Sequence, residues 1–566
     1  MINILNFIFL IISTTLSILT YRKICIDSNN KSKKNLSIKT NNFELKPNTY
    51  NIILASIAIL AIIIRIWKFG LIPGGFNQDG AMAAVDGYAL SKYATDRFGT
   101  FLPSHLYAWG YGQMSSLLSY LIALFVKIWG LSPIIARLPQ LLVSLMGGYF
   151  FYLLIKDLFG KNMALIAAFF ISINPWHFMQ SRWILDCNLL PHFFIAGVYF
   201  FNKGLIKKKK YIYISMIFFA LCMYCYGITI YTIPIFLLTL AIYYYIKKYI
   251  TIKDILISIA IYLSISWPFI LTMMVNFFKW KTIELPFVTI QYFKESIRSN
   301  DILFFSNNFG KQLINNIFSF LNVTLLQRKD LPWNDIIGFG TMYLFTMPFV
   351  IIGVIQLLKI KLKENKMLVI FSLLIGIWVG LTTNNVNINR INIIYYAIMM
   401  LSVIGIYTAI NKIQYAKILI PSMYMIISII FINTYFTSYA NLISHSFYYG
   451  FKDALIDAEK TNAKHIYITA DIQNKGNWKV SEILTLFYDK IDARYFQGKT
   501  NINNGKEYLP YKERYIYESI SNELVERTEN EETAYLIMKD DKKYFESNKF
   551  ELTNYGDYYS VKKINS

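Results

Sequence analysis

Apolar runs separated by short polar stretches repeat along most of this chain. They fall at 3–20, 50–67, 138–155, 162–178, 185–202, 212–228, 231–246, 254–275, 338–358, 367–383, 391–409 and 417–436. Runs of about 17–25 apolar residues are long enough for a helix to cross a bilayer. One further run, 114–129, is apolar but carries Ser115, Ser116, Ser119 and Lys127. Counted as a span, it would move every later basic loop to the opposite side. It therefore reads as a helix lying at the outer interface, with Trp109, Tyr120 and Trp129 at headgroup depth; the alternative is a true span whose partner lies elsewhere in the chain. Beyond 439 the apolar runs stop. Helical stretches (Gly450 to Thr461, Val480 to Lys490) alternate there with strand-like ones (His465 to Thr469, Ala534 to Met538, Tyr558 to Lys562). That alternation predicts a small α/β domain. The pattern divides the chain into an anchor span with a basic loop (1–49), a transmembrane body (50–439) and an α/β tail (440–566). The fold class is mainly α: a polytopic membrane helical bundle of about 11–12 spans, with its C-terminal domain outside.

Composition agrees with a membrane body. The chain has 566 residues, 55% of them hydrophobic and 17% aromatic, and a mean hydropathy of +0.39. Its net charge of +22 could point to nucleic acid, but its placement argues against that. The lysines crowd short loops: Arg22 to Lys46, Lys156/Lys161, Lys203 to Lys210, Lys247 to Lys253, Lys359 to Lys366 and Lys412/Lys417. Cytoplasmic loops of membrane proteins carry such an excess. Of the four cysteines, Cys222 and Cys225 sit inside a span and read as small buried hydrophobes. Segment 3–20 has no basic residues before it, so it reads as an anchor with its N-terminus outside.

With every lysine-rich loop inside, segment 68–137 lies outside and Asp186 emerges on the same face as Asp79. A carboxylate at a membrane edge is costly unless solvated or paired, which makes both functional candidates. Asp79 opens a run with helical character, so Asp79 or Asn77 could equally be an N-cap. Asp86, about two turns on, shares its face and could add a second carboxylate or belong to a solvated surface. Arg182 and Asp186, four apart, could simply pair. Arg390 ends a span and could snorkel. Arginines nonetheless stand out at outer span ends in a chain whose lysines stay inside. Guanidinium suits phosphate recognition, so Arg182, Arg328 and Arg390 are candidates to converge on a lipid phosphate. His105, His177 and His192 show no metal-ligand spacing. Trp109, Trp176, Trp183 and Trp333 could stack on sugar rings or anchor at the interface.

The set of loop motifs resembles the polytopic GT-C glycosyltransferases, the bacterial relatives of protein O-mannosyltransferases and of the aminoarabinose transferase acting on lipid A. The matching stretches are Pro73 to Asp79, Ala108 to Gln113, Ala136 to Pro139, Asn174 to His177 and Ser181 to Asn188. Asp330 to Asn334, Gly338 to Thr341 and Asn389 to Asn392 complete the set. The resemblance implies a GT-C bundle and a sugar donor carried on polyprenyl phosphate. It implies Asp79 as general base, with Asp186 in the same pocket, and Arg182, Arg328 and Arg390 on the donor phosphate. Asp86, Trp109, His177, Trp183, Asp330, Trp333 and Asn392 would line the sugar pocket. The implied partners are that lipid-linked sugar, membrane lipids and an acceptor protein, glycolipid or wall polymer, with no nucleic acid. The implied location is a bacterial plasma membrane. Many members carry Asp-Glu where this chain has Asp79-Gly80, which weakens a tightly held metal. No metal ligands are assigned and no cofactor is certain; a divalent ion stays open. The alternative function is a transporter or flippase of a polyprenyl-linked sugar. Paired halves with interrupted helices, which a transporter would show, are not visible.

Overall fold

The computed structural model describes residues 2–29, 46–110, 112–294, 302–328, 330–359, 366–470, 478–545 and 549–564. Helices α1 (Ile2–Asn29) and α2 (Pro47–Ile66) lead into α3 (Gln78–Tyr93). A hairpin of β1 (His105–Tyr107) and β2 (Gln113–Ser115) follows, then α4 (Leu117–Trp129). Next come α5 (Pro133–Phe159), α6 (Lys161–Ile173), α7 (Pro175–Gln180) and α8 (Leu190–Ile206), preceded by a 3-10 turn Asp186–Leu189. The body continues with α9 (Lys210–Cys222), α10 (Thr229–Ile246) and α11 (Ile252–Phe277). A second hairpin, β3 (Ile283–Leu285) and β4 (Val288–Ile290), precedes α12 (Phe309–Thr324), α13 (Met347–Lys359) and α14 (Met367–Thr382). A short turn α15 (Ile388–Ile391) then leads to α16 (Tyr395–Lys412) and α17 (Ala416–Phe436).

Among the described residues, 8 helices are long and apolar enough to cross a membrane, and the chain is a multi-pass membrane protein. They account for eight of the twelve predicted spans. The other four, α6, α9, α13 and α14, are helices of 13 to 16 residues. The predicted run 162–178 is shorter because Asn174 ends it. Its side chain caps α7 by accepting from the His177 N–H at 3.1 Å, and Pro175 opens the new helix. Helix α4 has 13 residues, about 20 Å at 1.5 Å per residue, which is short of the ~30 Å hydrocarbon core. It packs between α3 and α5 and leaves Leu124, Ile128 and Trp129 exposed.

The basic loops meet at one end of the bundle. Lys23 donates to the Lys412 carbonyl at 2.9 Å, Lys412 pairs with Asp27, and Lys359 reaches Cys25. The Tyr50 hydroxyl meets Tyr152 and the Lys161 carbonyl beside them. The basic segments 30–45 and 360–365 lie outside the described residues. Asp79 and Asp186 lie at the opposite end with the tail.

The tail begins with α18 (Ser438–Ser446) and α19 (Phe451–Lys460). Strand β5 (His465–Thr469) and helix α20 (Trp478–Tyr488) follow, then a small hairpin of β6 (Ile502–Asn503) and β7 (Lys506–Glu507). Strands β8 (Tyr515–Glu518), β9 (Thr533–Met538), β10 (Phe550–Asn554) and β11 (Tyr558–Lys563) complete a five-stranded sheet in the order β10-β11-β9-β5-β8. β5 runs parallel to both β8 and β9, while β11 and β10 are antiparallel additions. The predicted strands are β5, β9 and β11, and the structure adds β8 and β10. Helix α20 packs on α3, which brings the tail onto the loop that carries Asp79.

Candidate active site

Asp79 stands in the first turn of α3, where the free N–H groups of the helix favour an anion. The cap itself is Asn77, whose side chain accepts from the Asp79 N–H at 2.9 Å. The Asp79 carboxylate is therefore not needed as the cap. Trp109 donates its indole N–H to Asp79 Oδ1 at 2.5 Å. Tyr448, from the tail, donates to Gln78 Oε1 at 3.1 Å. Burial, and then the charge of Asp79, push the Tyr448 hydroxyl above its usual range.

The second acidic loop closes on the same place. Gly80 has no room for a side chain, because a Cβ there would stand 2.7 Å from Ile184 Cγ1. The Asp186 carboxylate is buried and accepts the Cys187 N–H at 2.7 Å. α15, which carries Arg390, packs on the 3-10 turn Asp186–Leu189. Asn392 binds across it to the Cys187 carbonyl at 2.7 Å. Gly80 against Ile184, and α15 against the 3-10 turn, thus place the Asp79 loop and Arg390 next to the segment that carries Asp186. Arg390 is half-buried and donates to the Asn384 carbonyl at 2.7 Å. Asn188 Nδ2, Asn392 Oδ1 and Trp183 Nε1 are buried and have no hydrogen-bond partner among the described residues. Buried polar groups are normally paired, so these mark where a polar ligand or water enters.

Several candidate residues hold the site in place rather than face it. Arg182 is fully buried, and its guanidinium donates to five carbonyls, of Ile64, Arg65, Trp67, Lys68 and Ile72, and to the Tyr435 hydroxyl. Its donors are all engaged, so it is not free for a lipid phosphate, and it does not pair with Asp186. Asp86 shares α3 with Asp79 but is buried in an ion pair with Arg97 at 2.6 Å. Burial outweighs that partner and raises the Asp86 carboxyl to about 7. Arg97 in turn donates to the carbonyls of Tyr107 and Ala108, which positions Trp109. His177 is buried with Arg65 at 2.9 Å on Nδ1 and the Ser144 carbonyl at 3.1 Å on Nε2. An Arg donor on one nitrogen and a carbonyl acceptor on the other require the neutral ring. Asp330 accepts from the backbone N–H groups of Leu331 and Ile388 and from Asn334, tying its loop to α15. Trp183 and Trp333 form an aromatic cluster with Phe447, at centroid distances of 5.9 to 6.1 Å. Arg328 is exposed. The structure thus brings Asp79, Asp186, Trp109, Trp183, Arg390 and Asn392 together.

Besides Arg97, sequence reasoning missed the buried arginines Arg137 and Arg65 near this site. Arg137 donates to the carbonyls of Gly70, Pro73 and Gly75 and lies over Phe76. Arg65 donates to the carbonyls of Ile171 and Ser172. Arg65 thereby ties α2 to α6 and His177, while Arg137 and Arg182 hold the loop leading to Asp79. Gly75 adopts φ +71° there, with the Phe447 carbonyl 1.9 Å from any Cβ it would carry. The only cue to Arg137 was its place in a matching motif.

Residues 115–272 match the model of a family described as dolichyl-phosphate-mannose-protein mannosyltransferase. The crystal structure of ArnT from Cupriavidus metallidurans bound to undecaprenyl phosphate is similar over 92% of this chain and 99% of that one, with 9% identity and a TM-score of 0.55. The apo form of the same protein matches over 91% and 98%, with 9% identity and a TM-score of 0.52. The chain has the GT-C glycosyltransferase fold. No curated protein matches its sequence. The matched family segment runs from β2 into α11 and includes Arg182 and Asp186.

The turn at Gly80 leaves no room for a second carboxylate beside Asp79. A glutamate in place of Gly80 would have to displace Ile184 and Phe76. Among the described residues no three His, Cys, Asp or Glu side chains are grouped to hold a metal ion. A divalent ion at Asp79 and Asp186 would have two carboxylates and otherwise water or substrate oxygens, fewer protein ligands than tight sites use.

Proposed function

We propose that this chain transfers a sugar from a polyprenyl-phosphate carrier to an acceptor hydroxyl, at the extracytoplasmic face of a bacterial plasma membrane. The observation that carries the reading is that the Asp79 loop, the Asp186 turn and the Arg390 turn pack together, beside Asn188 Nδ2 and Asn392 Oδ1, which are buried without a hydrogen-bond partner among the described residues. A relative in fold holds undecaprenyl phosphate, which supports the donor class. The basic loops at the far end of the bundle support the orientation, since such loops stay in the cytoplasm.

An alcohol at neutral pH is a poor nucleophile. In this scheme Asp79 takes the proton of the acceptor hydroxyl as its oxygen bonds to the anomeric carbon. The bond from that carbon to the phosphate oxygen breaks, and polyprenyl phosphate leaves with the electron pair. One displacement inverts the anomeric centre. Trp109 fixes the orientation of the carboxylate, and Arg390 balances the charge growing on the phosphate. A fixed cation in a dry site stabilises that charge far more than water does. No step needs a metal ion.

The test uses the purified full chain with a panel of polyprenyl-phosphate sugars and follows release of free polyprenyl phosphate. Acceptor-dependent release with at least one donor supports the reading. Transport of an intact lipid-linked sugar across proteoliposomes, with no release, would establish the flippase instead.

A further inference from the structure

A second concavity lies beside the site, between the first loop and the β3–β4 hairpin. It has a volume of about 710 Å³ and is lined by Phe98, Phe101 and Tyr107 on one side and by Glu284, Leu285 and Gln291 on the other. That size is typical of small-molecule sites. Phe98 and Phe101 are 47% and 42% exposed; the Arg97 guanidinium lies over one face of Phe98, and the exposed ring surface is available to a ligand. Gln291 is 4% exposed and donates to the Thr100 hydroxyl at 2.6 Å, while its Oε1 has no hydrogen-bond partner among the described residues. Buried acceptors are normally paired, so this one is an exception beside the groove.

We propose that this groove binds the acceptor, and that the acceptor is an uncharged oligosaccharide. The proposal rests on the transfer reaction above. Sugar units offer apolar CH faces to aromatic rings and hydroxyl donors to an amide oxygen, which is the mixture found here. An anionic wall polymer would need cations, and the charged lining residue is an acid, Glu284. A peptide adding as a strand finds no free edge on β4, which pairs with β3 on one side. On the other it bonds to Leu102 and Ser104 through Thr289. The groove also points at the chemistry. Tyr107 stands two residues before Trp109, about 7 Å along an extended chain, and Arg97 holds the carbonyls of Tyr107 and Ala108 against Asp86. In this proposal a chain of sugars seated on Phe98 and Phe101 extends past Tyr107 toward Trp109 and Asp79.

The experiment uses the full-length Asp79→Asn protein in detergent, so that no turnover intervenes. Saturation-transfer NMR and calorimetry follow four neutral tetrasaccharides (of glucose, mannose, galactose and N-acetylglucosamine), tetragalacturonate and a Gly/Ser hexapeptide. The expected result is saturable binding of at least one neutral tetrasaccharide. Phe98→Ala/Phe101→Ala should weaken it at least tenfold, as should Leu285→Trp, which narrows the mouth without opening a cavity. No binding of any neutral probe, tighter binding of the acidic or peptide probe, or binding unchanged in both variants overturns the proposal. Wild-type protein that releases polyprenyl phosphate yet binds no tetrasaccharide removes the groove and leaves the transfer reading standing. Binding without transfer from any donor removes the transfer reading instead.

Discussion

Replacing Arg182 with alanine separates a clamp from a phosphate ligand. The guanidinium makes six hydrogen bonds, five of them to carbonyls between Ile64 and Ile72. Each buried group left unsatisfied costs about 1–3 kcal/mol. Water entering the space can rescue most of them, so two orphaned carbonyls give a loss of roughly 2–6 kcal/mol. That is a large share of the ~5–15 kcal/mol that typically holds a folded domain. Thermal unfolding of the detergent-solubilised full chain, read by tryptophan fluorescence, should show the Arg182→Ala midpoint lowered by several degrees, with transfer lost. Arg390→Ala is the control. Its side chain is half-buried and donates to the Asn384 carbonyl. Its midpoint should stay near wild type while apparent donor affinity falls at least tenfold. An Arg182→Ala protein that melts like wild type and loses only donor affinity would refute the clamp and restore Arg182 to the phosphate site.

Other outcomes follow from the same geometry. Gly80→Glu supplies a second acid beside Asp79, but against Ile184 at 2.7 Å it overpacks the turn by about 1–3 kcal/mol. Transfer should fall at least tenfold with no new metal dependence, and full activity would show that the turn can open. Excess EDTA should lower turnover less than about twofold, since two carboxylates hold a hydrated divalent ion weakly; abolished activity restored by one metal would contradict this. In the tail, burial and then the Glu459 charge raise Asp489 from 3.8 to about 7. The native state therefore binds this proton more tightly than the unfolded chain. The stabilisation is complete below pH 3.8 and disappears as pH rises through about 7. Between pH 5 and 8 the wild-type melting midpoint should fall relative to that of Asp489→Asn, and parallel curves would show that Asp489 titrates normally.

The membrane body was legible because hydropathy and lysine placement are local signals. They marked the twelve apolar segments, set α4 apart and predicted a basic end. The tail's β5, β9 and β11 were legible from short alternating runs. The roles of the arginines were not. An outer arginine on a phosphate and one on backbone carbonyls look alike in sequence. Arg182 finds its carbonyls 110 to 118 positions away, which no local spacing encodes. Asp86 shares a helix face with Asp79 as periodicity required, yet its partner Arg97 lies 11 residues on, beyond the left-handed turn at Ala94. The tail's part was also hidden. The Phe447 carbonyl accepts the Phe76 N–H at 2.7 Å, and Phe487 stacks on Phe76 at 4.3 Å. Removing 440–566 would therefore loosen the Asp79 loop itself, whatever it does to acceptor choice.

The central claim is that the Asp79 carboxylate takes the acceptor's proton. Its most direct test is single-turnover release of polyprenyl phosphate by wild type and Asp79→Asn, with donor and acceptor both saturating. A general base is typically worth 10²–10⁴-fold, so the variant should be slower by about that factor with its melting midpoint and donor affinity preserved. Release at near wild-type rate by Asp79→Asn would contradict the account.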